Sequence, residues 1–312
     1  MGLLMFRLIR FVPLSLLRIL ARVGANLARM TDASIYRSIR KNLIMVHPHL
    51  SGEERKQLSL QALNNQLISS VDSLKSWAMP PEWSINQIKN VHDLEILQRG
   101  LSHPNGMLAI VPHIGTWEMM NAWLNQFGKP VIMYKPAKSV AMDQFILQGR
   151  QRLNATLVPT DTKGVKAIFK TLKEGGFSIV LPDHVPDLSG GTIVPFFGIP
   201  TLTSTLAPKL AQKTGCALVG LSCIRCDNDD GFEVFCYDFN SSVLYDKDIV
   251  VATSALNDAI QSMIDKHFNH YMWGYRRFKF TPFGQNPYLL PEQELIKKIQ
   301  SCPLITTREV HD

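Results

Sequence analysis

Features that mark several protein classes are scarce in this 312-residue chain. Charged residues make up 19% of it, below the roughly 25% of an average soluble domain, while hydrophobic residues make up 46%. A chain this apolar can build a large core, which excludes disorder as its main state. With 19 glycines, 18 prolines and five cysteines it is neither collagen-like nor a disulfide scaffold. An odd number of scattered cysteines favours a reducing compartment.

A long uncharged apolar run is also missing from the first 30 residues. The longest such run there is Phe11–Leu17, seven residues, whereas a membrane-spanning helix needs about 20 apolar residues. Arginines interrupt the apolar stretch and no clear small-residue cleavage site follows it, so a secretory signal fits poorly.

The leader is instead basic and amphipathic. Positions 1–45 contain eight basic residues and a single acidic residue, Asp32, so this segment accounts for the whole net charge of +7. At 100° per residue, four arginines fall within a 60° arc: Arg7, Arg18, Arg22 and Arg29. The opposite face carries Leu16, Ile19, Leu20, Val23, Leu27 and Met30.

This segregation predicts that residues 1–30 form a helix in the plane of an anionic membrane surface, with its arginines among lipid phosphates. Pro13 is expected to kink that helix. A membrane surface explains a basic, apolar leader better than nucleic acid does. The alternative is an ordinary amphipathic helix packed on its own domain.

The rest of the chain predicts an α/β fold with a mainly parallel, twisted sheet flanked by helices. A capping box at Ser51 opens a helix to about Trp77. The predicted strands are Met107–Val111, Val131–Tyr134, Thr156–Val158, Ser178–Leu181, Ala217–Cys226 and Phe232–Tyr237. The predicted helices of this part are Glu118–Phe127, Ala141–Leu153, Lys163–Glu174, Ser204–Thr214 and Val250–Phe268.

One domain, residues 31–312, is expected after the leader, with a helical lead-in at 31–80 and an α/β core at 90–290. The segment Pro182–Thr201 is predicted to be a loop long enough to be functional. Sites in such sheets lie beyond the carboxyl ends of the strands, here after Val111, Tyr134 and Leu181.

His113 and Glu118 follow the first of these strands with the spacing H-x4-E. A histidine is a suitable general base near neutral pH, and a carboxylate can hold its tautomer and orientation. No G-x-S-x-G motif and no cysteine in a comparable turn supplies a nucleophile, so the pair would activate a hydroxyl of a substrate. The alternative is a buried structural histidine and an acidic residue at the start of a helix.

Arg150 and Asp183 are the other candidates. Arg150 can bind phosphate or a developing oxyanion, or simply complement a helix C-terminus. Asp183 can orient a ligand or hold Arg150, or be an ordinary turn residue. No metal site is predicted, since Cys223 and Cys226 would point to opposite faces of one strand and could not share a metal ion. No cofactor is predicted either.

Four blocks, in order, resemble the late acyltransferases of lipid A biosynthesis in Gram-negative bacteria, within the lysophospholipid-acyltransferase-like superfamily. They are His113–Glu118, Gly149–Asn154, Pro182–His184 with Pro195–Thr201, and Tyr271–Lys279. The basic leader and the segment Arg40–Leu43 share the likeness, which covers nearly the whole chain. Two departures are Tyr275, where the family usually has histidine, and the segment Val185–Gly191.

The resemblance implies transfer of a fatty acyl group from acyl carrier protein to a hydroxyl of a lipid A precursor, at the cytoplasmic face of the inner membrane. It implies that His113 is the general base, Glu118 its partner, Arg150 a substrate contact and Asp183 a supporting residue. Coenzyme A as donor, a lysophospholipid or other lipid hydroxyl as acceptor, and water as acceptor stay open. A catalytically inert peripheral membrane protein is the non-enzyme alternative.

Overall fold

The computed structural model describes residues 2–281 and 284–302. Its first part is helical, as the sequence predicts, and its second part alternates strands with helices. The helices are α1 (Gly2–Leu8), α2 (Leu14–Met30), α3 (Ser34–Val46), α4 (Gly52–Ala78), α5 (Pro81–Asn86), α6 (Leu94–Leu101), α7 (Trp117–Leu124), α8 (Val140–Gln151), α9 (Thr162–Lys173), α10 (Leu206–Thr214), α11 (Ile249–Lys266) and α12 (Glu292–Ser301). The strands are β1 (Ile88–His92), β2 (Met107–Ile110), β3 (Val131–Tyr134), β4 (Thr156–Pro159), β5 (Phe177–Val180), β6 (Gly191–Phe196), β7 (Ile199–Ser204), β8 (Ala217–Arg225) and β9 (Phe232–Asp238).

Seven strands form the central sheet in the order β1-β9-β8-β2-β5-β3-β4. The five strands from β8 to β4 run parallel, while β9 pairs antiparallel with β8 and parallel with β1. The prediction of a mainly parallel sheet flanked by helices is confirmed. Its central strands were predictable because β2 and β5 are buried at every position and are therefore mostly apolar.

One predicted loop contains strands instead. The hairpin β6–β7 begins in the second half of the predicted loop Pro182–Thr201 and extends to Ser204, and its strands pair outside the main sheet. Phe197 and Gly198 both have positive φ, 50° and 73°, which is the geometry of the favoured two-residue hairpin turns. A phenylalanine is a rare residue for such a conformation, so the turn lacks the usual sequence signal.

Helix α4 begins as predicted. The Ser51 hydroxyl accepts the N–H of Glu54, and the Glu54 carboxylate accepts the N–H of Ser51, so the capping box is present. The helix runs past the carboxyl edge of the sheet and packs on α2, α7 and α8. It therefore connects the N-terminal helices to the place where a site is expected.

The leader is broken at Pro13, as predicted. Helix α1 ends at Leu8, a 3₁₀ turn spans Ile9–Phe11, and α2 begins at Leu14. Lys75 Nζ of α4 donates to three carbonyls around this break, those of Ile9, Arg10 and Val12, at 2.7–3.1 Å. Proline interrupts the helix at this point, and Lys75 supplies a hydrogen-bond donor to the carbonyls at the break.

The prediction that the leader arginines lie among lipid phosphates is wrong for two of them. Arg18 is buried and its Nε donates to Asp72 Oδ1 at 2.8 Å, while Arg22 pairs with Asp229 in the β8–β9 connection. These acids attract the basic side of α2 onto the protein. The opposite face is exposed: Leu16, Ile19, Leu20, Val23, Leu27 and Met30. Among the described residues, no helix combines the length and the apolar character needed to cross a membrane.

Candidate active site

The register of two neighbouring strands brings His113 and Asp183 together. Ile110 at the end of β2 lies opposite Val180 at the end of β5, and both side chains occur three positions later. His113 Nδ1 lies 2.9 Å from Asp183 Oδ1, and the backbone N–H of His113 donates to Asp183 Oδ2 at 3.0 Å. Both carboxylate oxygens of Asp183 therefore hold His113, three residues after the end of β2, in place.

Asp183 is ionised in this arrangement. Burial alone would raise the pKa of its carboxyl, but the charge and hydrogen bonds of His113 hold that pKa well below its usual value. An ionised carboxylate only accepts hydrogen bonds, so Nδ1 of His113 carries the proton of this contact. In the neutral imidazole the lone pair then belongs to Nε2, which makes Nε2 the basic nitrogen.

Tyr271 adds to the support of Asp183. Its pKa is raised well above the usual value by burial, by the charge of Asp183 and by a hydrogen bond to that carboxylate. The hydroxyl therefore stays protonated and acts as a donor. Tyr271 belongs to the last of the four sequence blocks, but nothing in the sequence indicated that it reaches Asp183.

The predicted contact between Glu118 and His113 is wrong in this structure. Glu118, in the first turn of α7, accepts from Arg150 of α8, at 2.5 Å from Nη2 and 3.4 Å from Nε. The prediction that Asp183 orients a ligand or holds Arg150 is corrected in the same way, because Asp183 is occupied by His113. Five positions separate His113 from Glu118, so one follows the strand while the other has entered the helix.

The guanidinium of Arg150 also contacts two aromatic rings. It lies 4.8 Å from the ring centre of Trp117 and 5.4 Å from that of Tyr134, while only 12% of its side chain is exposed. A buried carboxylate and two ring faces thus fix its position. Trp117 directly precedes Glu118, and Tyr134 ends β3, so three strand ends contribute to one site.

Two cavities meet at these residues. The α4 cavity, about 290 Å³, is lined on one side by Gln66, Ser69, Ser70, Ser73 and Trp77 of α4. The β5 cavity, about 310 Å³, is lined by apolar residues including Met133, Ile179, Val180, Leu181, Leu206 and Ala207. Four residues line both cavities: His113, Trp117, Lys135 and Arg150. Trp117, Lys135 and the two linings were not identified from the sequence.

The hydroxyls and thiols near His113 are poor nucleophiles. Ser70 and Ser73 of the α4 cavity donate to carbonyls of their own helix, those of Gln66 and Ser69, at 2.9 Å. Cys223, next to Gly115, is fully buried, and burial raises the pKa of its thiol far above the usual value. The site thus presents a base between two cavities without an activated side-chain nucleophile among these residues.

Comparison with known proteins identifies the family of this chain. Residues 1–280 match the family described as bacterial lipid A biosynthesis acyltransferases. The chain belongs to this family. It is an acyltransferase, and the resemblance seen in the four sequence blocks is confirmed.

Individual relatives of the acyltransferase are distant. It is 24% identical to a lipid A biosynthesis lauroyltransferase of Escherichia coli, over 85% of this chain and 87% of the relative. It is 23% identical to a lipid A biosynthesis palmitoleoyltransferase of the same organism, over 79% of each chain. A phosphatidylinositol mannoside acyltransferase of Mycobacterium tuberculosis is 29% identical over a shorter part, 59% of this chain and 60% of the relative.

Proposed function

We propose that this acyltransferase transfers a fatty acyl group from acyl carrier protein to a hydroxyl of a lipid A precursor, at the cytoplasmic face of the inner membrane. The observation that carries the proposal is the position of His113, where the α4 cavity and the β5 cavity meet. One cavity can hold the acceptor and the other the acyl chain. The base between them then faces both reacting groups.

His113 is the general base of the proposed reaction. Its Nε2 removes the proton of the acceptor hydroxyl while that oxygen attacks the thioester carbonyl. Asp183 keeps the proton on Nδ1 and stabilises the imidazolium that forms. The attack gives a tetrahedral intermediate. This intermediate collapses by breaking the carbon–sulfur bond, and His113 returns the proton to the departing thiolate. The products are an ester and a free thiol, and no acyl-enzyme forms.

Arg150 and Glu118 act as a unit in this scheme. Glu118 accepts from Nε and Nη2 of Arg150, and the other N–H groups of the guanidinium can bind the carbonyl oxygen as its negative charge develops. Glu118 is therefore a positioning residue for Arg150. This assignment replaces the role of partner to His113 that the spacing had predicted.

The linings of the two cavities support an assignment of the substrates. The α4 cavity carries an amide and three hydroxyls, from Gln66, Ser69, Ser70 and Ser73, which suit a polar acceptor headgroup. The β5 cavity is lined mainly by apolar side chains of β3, β5 and α10, which suit an acyl chain. Lys135 lines both cavities and is exposed, so it can attract an acidic carrier protein or a phosphate.

Membrane binding is proposed through the exposed face of α2. Six large apolar side chains lie on this face, each at least 45% exposed, and burying them in lipid is favourable. The basic side of α2 is held on α4 and Asp229, so the helix docks as part of the folded protein. A membrane-resident acceptor could then reach the α4 cavity, because α4 is the helix on which α2 packs.

Point substitutions test this surface better than truncation, because deleting residues 1–30 also removes Arg18 from Asp72. Leu16, Leu20, Val23 and Leu27 changed together to serine should abolish co-sedimentation with anionic vesicles while the protein stays folded. The matched control changes the exposed apolar residues Val243 and Val250, away from α2, to serine. Equal vesicle binding by the two variants would contradict the assignment.

The main test of the proposed function is mass spectrometry of membrane lipids from cells that contain the wild-type protein or His113→Ala. The wild type should add one acyl group to a lipid A precursor, and His113→Ala should not. The likeness to a phosphatidylinositol mannoside acyltransferase makes another lipid polyol the second candidate acceptor. The same spectra distinguish these acceptors, while release of free fatty acid alone would indicate a thioesterase.

A further inference from the structure

The ring of His113 is held by a stack of rings as well as by Asp183. His184 lies against His113 with 4.0 Å between ring centres and 15° between planes. Tyr275 packs on His184 in turn, at 4.3 Å and 31°. The hydroxyl of Tyr275 accepts the backbone N–H of Val185 at 3.0 Å, so the last ring also fixes the chain next to His184.

We propose that His184 is a positioning residue for acyl transfer, which fixes the plane of the His113 imidazole through ring stacking. The proposal rests on the proposed function, in which Nε2 of His113 must point at the acceptor hydroxyl. The hydrogen bond to Asp183 holds one ring atom, and the last torsion of a histidine side chain is broad. A second ring against the face restricts that torsion and directs Nε2.

The charge state of His184 suits this role. Partial burial, followed by the charge of His113, lowers the pKa of His184, so His184 is neutral at neutral pH. A neutral ring face attracts the cation that forms when His113 takes up the proton. A protonated His184 ring would repel this cation. The charges of Arg277 and Lys135 also lower the pKa of His184, while the charge of Asp183 raises it.

The departure from the family at position 275 is compatible with the stack. Histidine, the usual residue of the family there, and tyrosine are both planar rings that can pack on His184. Tyrosine adds the hydroxyl that accepts from Val185. What position 275 needs in this interpretation is a flat ring rather than a titratable group.

The test compares His184→Ala with His184→Phe in the full-length protein, using purified acyl carrier protein loaded with a fatty acid and a lipid A precursor. His184→Ala should lower kcat by about tenfold, because the base loses its orientation. His184→Phe keeps a ring face and should stay within about threefold of the wild type. The KM for the lipid acceptor should not change, because His184 lines the β5 cavity and not the α4 cavity.

His92→Ala is the matched control. His92 also stacks on a ring, that of Phe235, with 4.2 Å between centres and 7° between planes, but it lies on β1 and lines neither cavity. The kcat of His92→Ala should equal that of the wild type.

Two results would overturn the proposal: an unchanged kcat in a folded His184→Ala variant, or an equal loss in His184→Phe and His184→Ala. Either result leaves the proposed function intact as long as His113→Ala is inactive in the same assay. An active His113→Ala variant would reject the proposed function itself.

Discussion

Two buried carboxylates, Asp183 in the site and Asp72 beneath the leader helix, contact basic side chains, but their pKa values are shifted in opposite directions. Both oxygens of Asp183 accept hydrogen bonds, and its pKa is lowered. Asp72 Oδ1 accepts from Arg18, but Oδ2 has no hydrogen-bond partner among the described residues, and Arg225 Nε is 4.0 Å from it. Burial therefore raises the pKa of Asp72.

The difference shows what hydrogen bonds to an ionised group contribute. Burial raises the pKa of both carboxyl groups, and only at Asp183, which accepts more hydrogen bonds, do the charged partners and hydrogen bonds outweigh burial and lower the pKa. Asp183 stays ionised beside a titratable ring at two cavities, which suits proton transfer. Asp72 pairs with a permanent cation in a closed contact, which suits the attachment of α2.

The largest expected effect comes from making the same substitution at both positions. Asp183→Asn should lower kcat by about 10²–10⁴-fold, because an amide can donate to Nδ1 and select the wrong imidazole tautomer. Asp72→Asn should leave the kcat of the folded protein within a few-fold of the wild type. Turnover of an acyl thioester, corrected for the folded fraction, measures both. Similar losses in the two variants would remove the distinction between a catalytic and a structural carboxylate.

The second effect concerns stability. Asp72→Asn leaves Arg18 buried without its ionic partner, which should lower the free energy of unfolding by about 3–5 kcal/mol. Urea denaturation in detergent measures this loss. Asp183→Asn should cost less, because it leaves an imidazole rather than a permanently charged guanidinium without its carboxylate partner.

A double substitution sharpens this expectation. Replacing Arg18 by Met together with Asp72 by Leu removes both charges, and such replacements of buried pairs are often neutral or stabilising. The double variant should therefore recover most of the stability that Asp72→Asn loses. A double variant as unstable as the single one would show that Arg18 contributes mainly through its other contacts, with the Asp229 carbonyl and the Phe232 ring.

Sequence reasoning predicted the strands that carry the site but not the contacts between their ends. The apolar runs of β2 and β5 are visible because both faces of these strands are buried. The pairing of His113 with Asp183 depends on the register of Ile110 opposite Val180, which separates the partners by 70 positions. H-x4-E suggested a local pair instead, and Arg150 of α8 takes the carboxylate of Glu118.

The leader shows the same limit. Its amphipathic pattern predicted a helix and identified the two faces. It did not reveal that the basic face packs inward, because the acids that bind it, Asp72 and Asp229, lie in α4 and in the connection after β8. Periodicity describes one helix at a time, whereas its orientation depends on the surface that it meets.

A smaller effect tests the second pair of the site. Glu118→Gln and Arg150→Lys should each lower kcat. The fold-loss of kcat in the double variant should be smaller than the product of the two single losses, which corresponds to a coupling energy of about 1–3 kcal/mol. Glu118→Gln and Asp183→Asn should show weaker coupling, since they act on different side chains. Steady-state kinetics of the three single variants and the two double variants measures both coupling energies. Stronger coupling of Glu118 to Asp183 than to Arg150 would restore Glu118 as the partner of His113.

The smallest effect concerns acid. His47 and His270 have pKa values lowered to about 4, mainly by burial, so both take up a proton on unfolding between about pH 6.5 and pH 4. As the pH falls through this window, the free energy of unfolding should therefore decrease, by at most about 1.4 kcal/mol per pH unit for each histidine. His47→Gln should make the decline shallower without lowering kcat.

The two carboxylates should change this acid dependence in opposite directions. Asp183 binds its proton less tightly in the folded state, so it adds to the acid loss below its unfolded pKa of about 4. Asp72 binds its proton more tightly when folded, so its protonation favours folding as the pH falls. Asp72→Asn should steepen the loss of stability below about pH 5, and Asp183→Asn should flatten it. Urea denaturation from pH 7 to pH 4 measures the slopes, and equal slopes in the two variants would mean that the pKa values of Asp72 and Asp183 are not shifted in opposite directions.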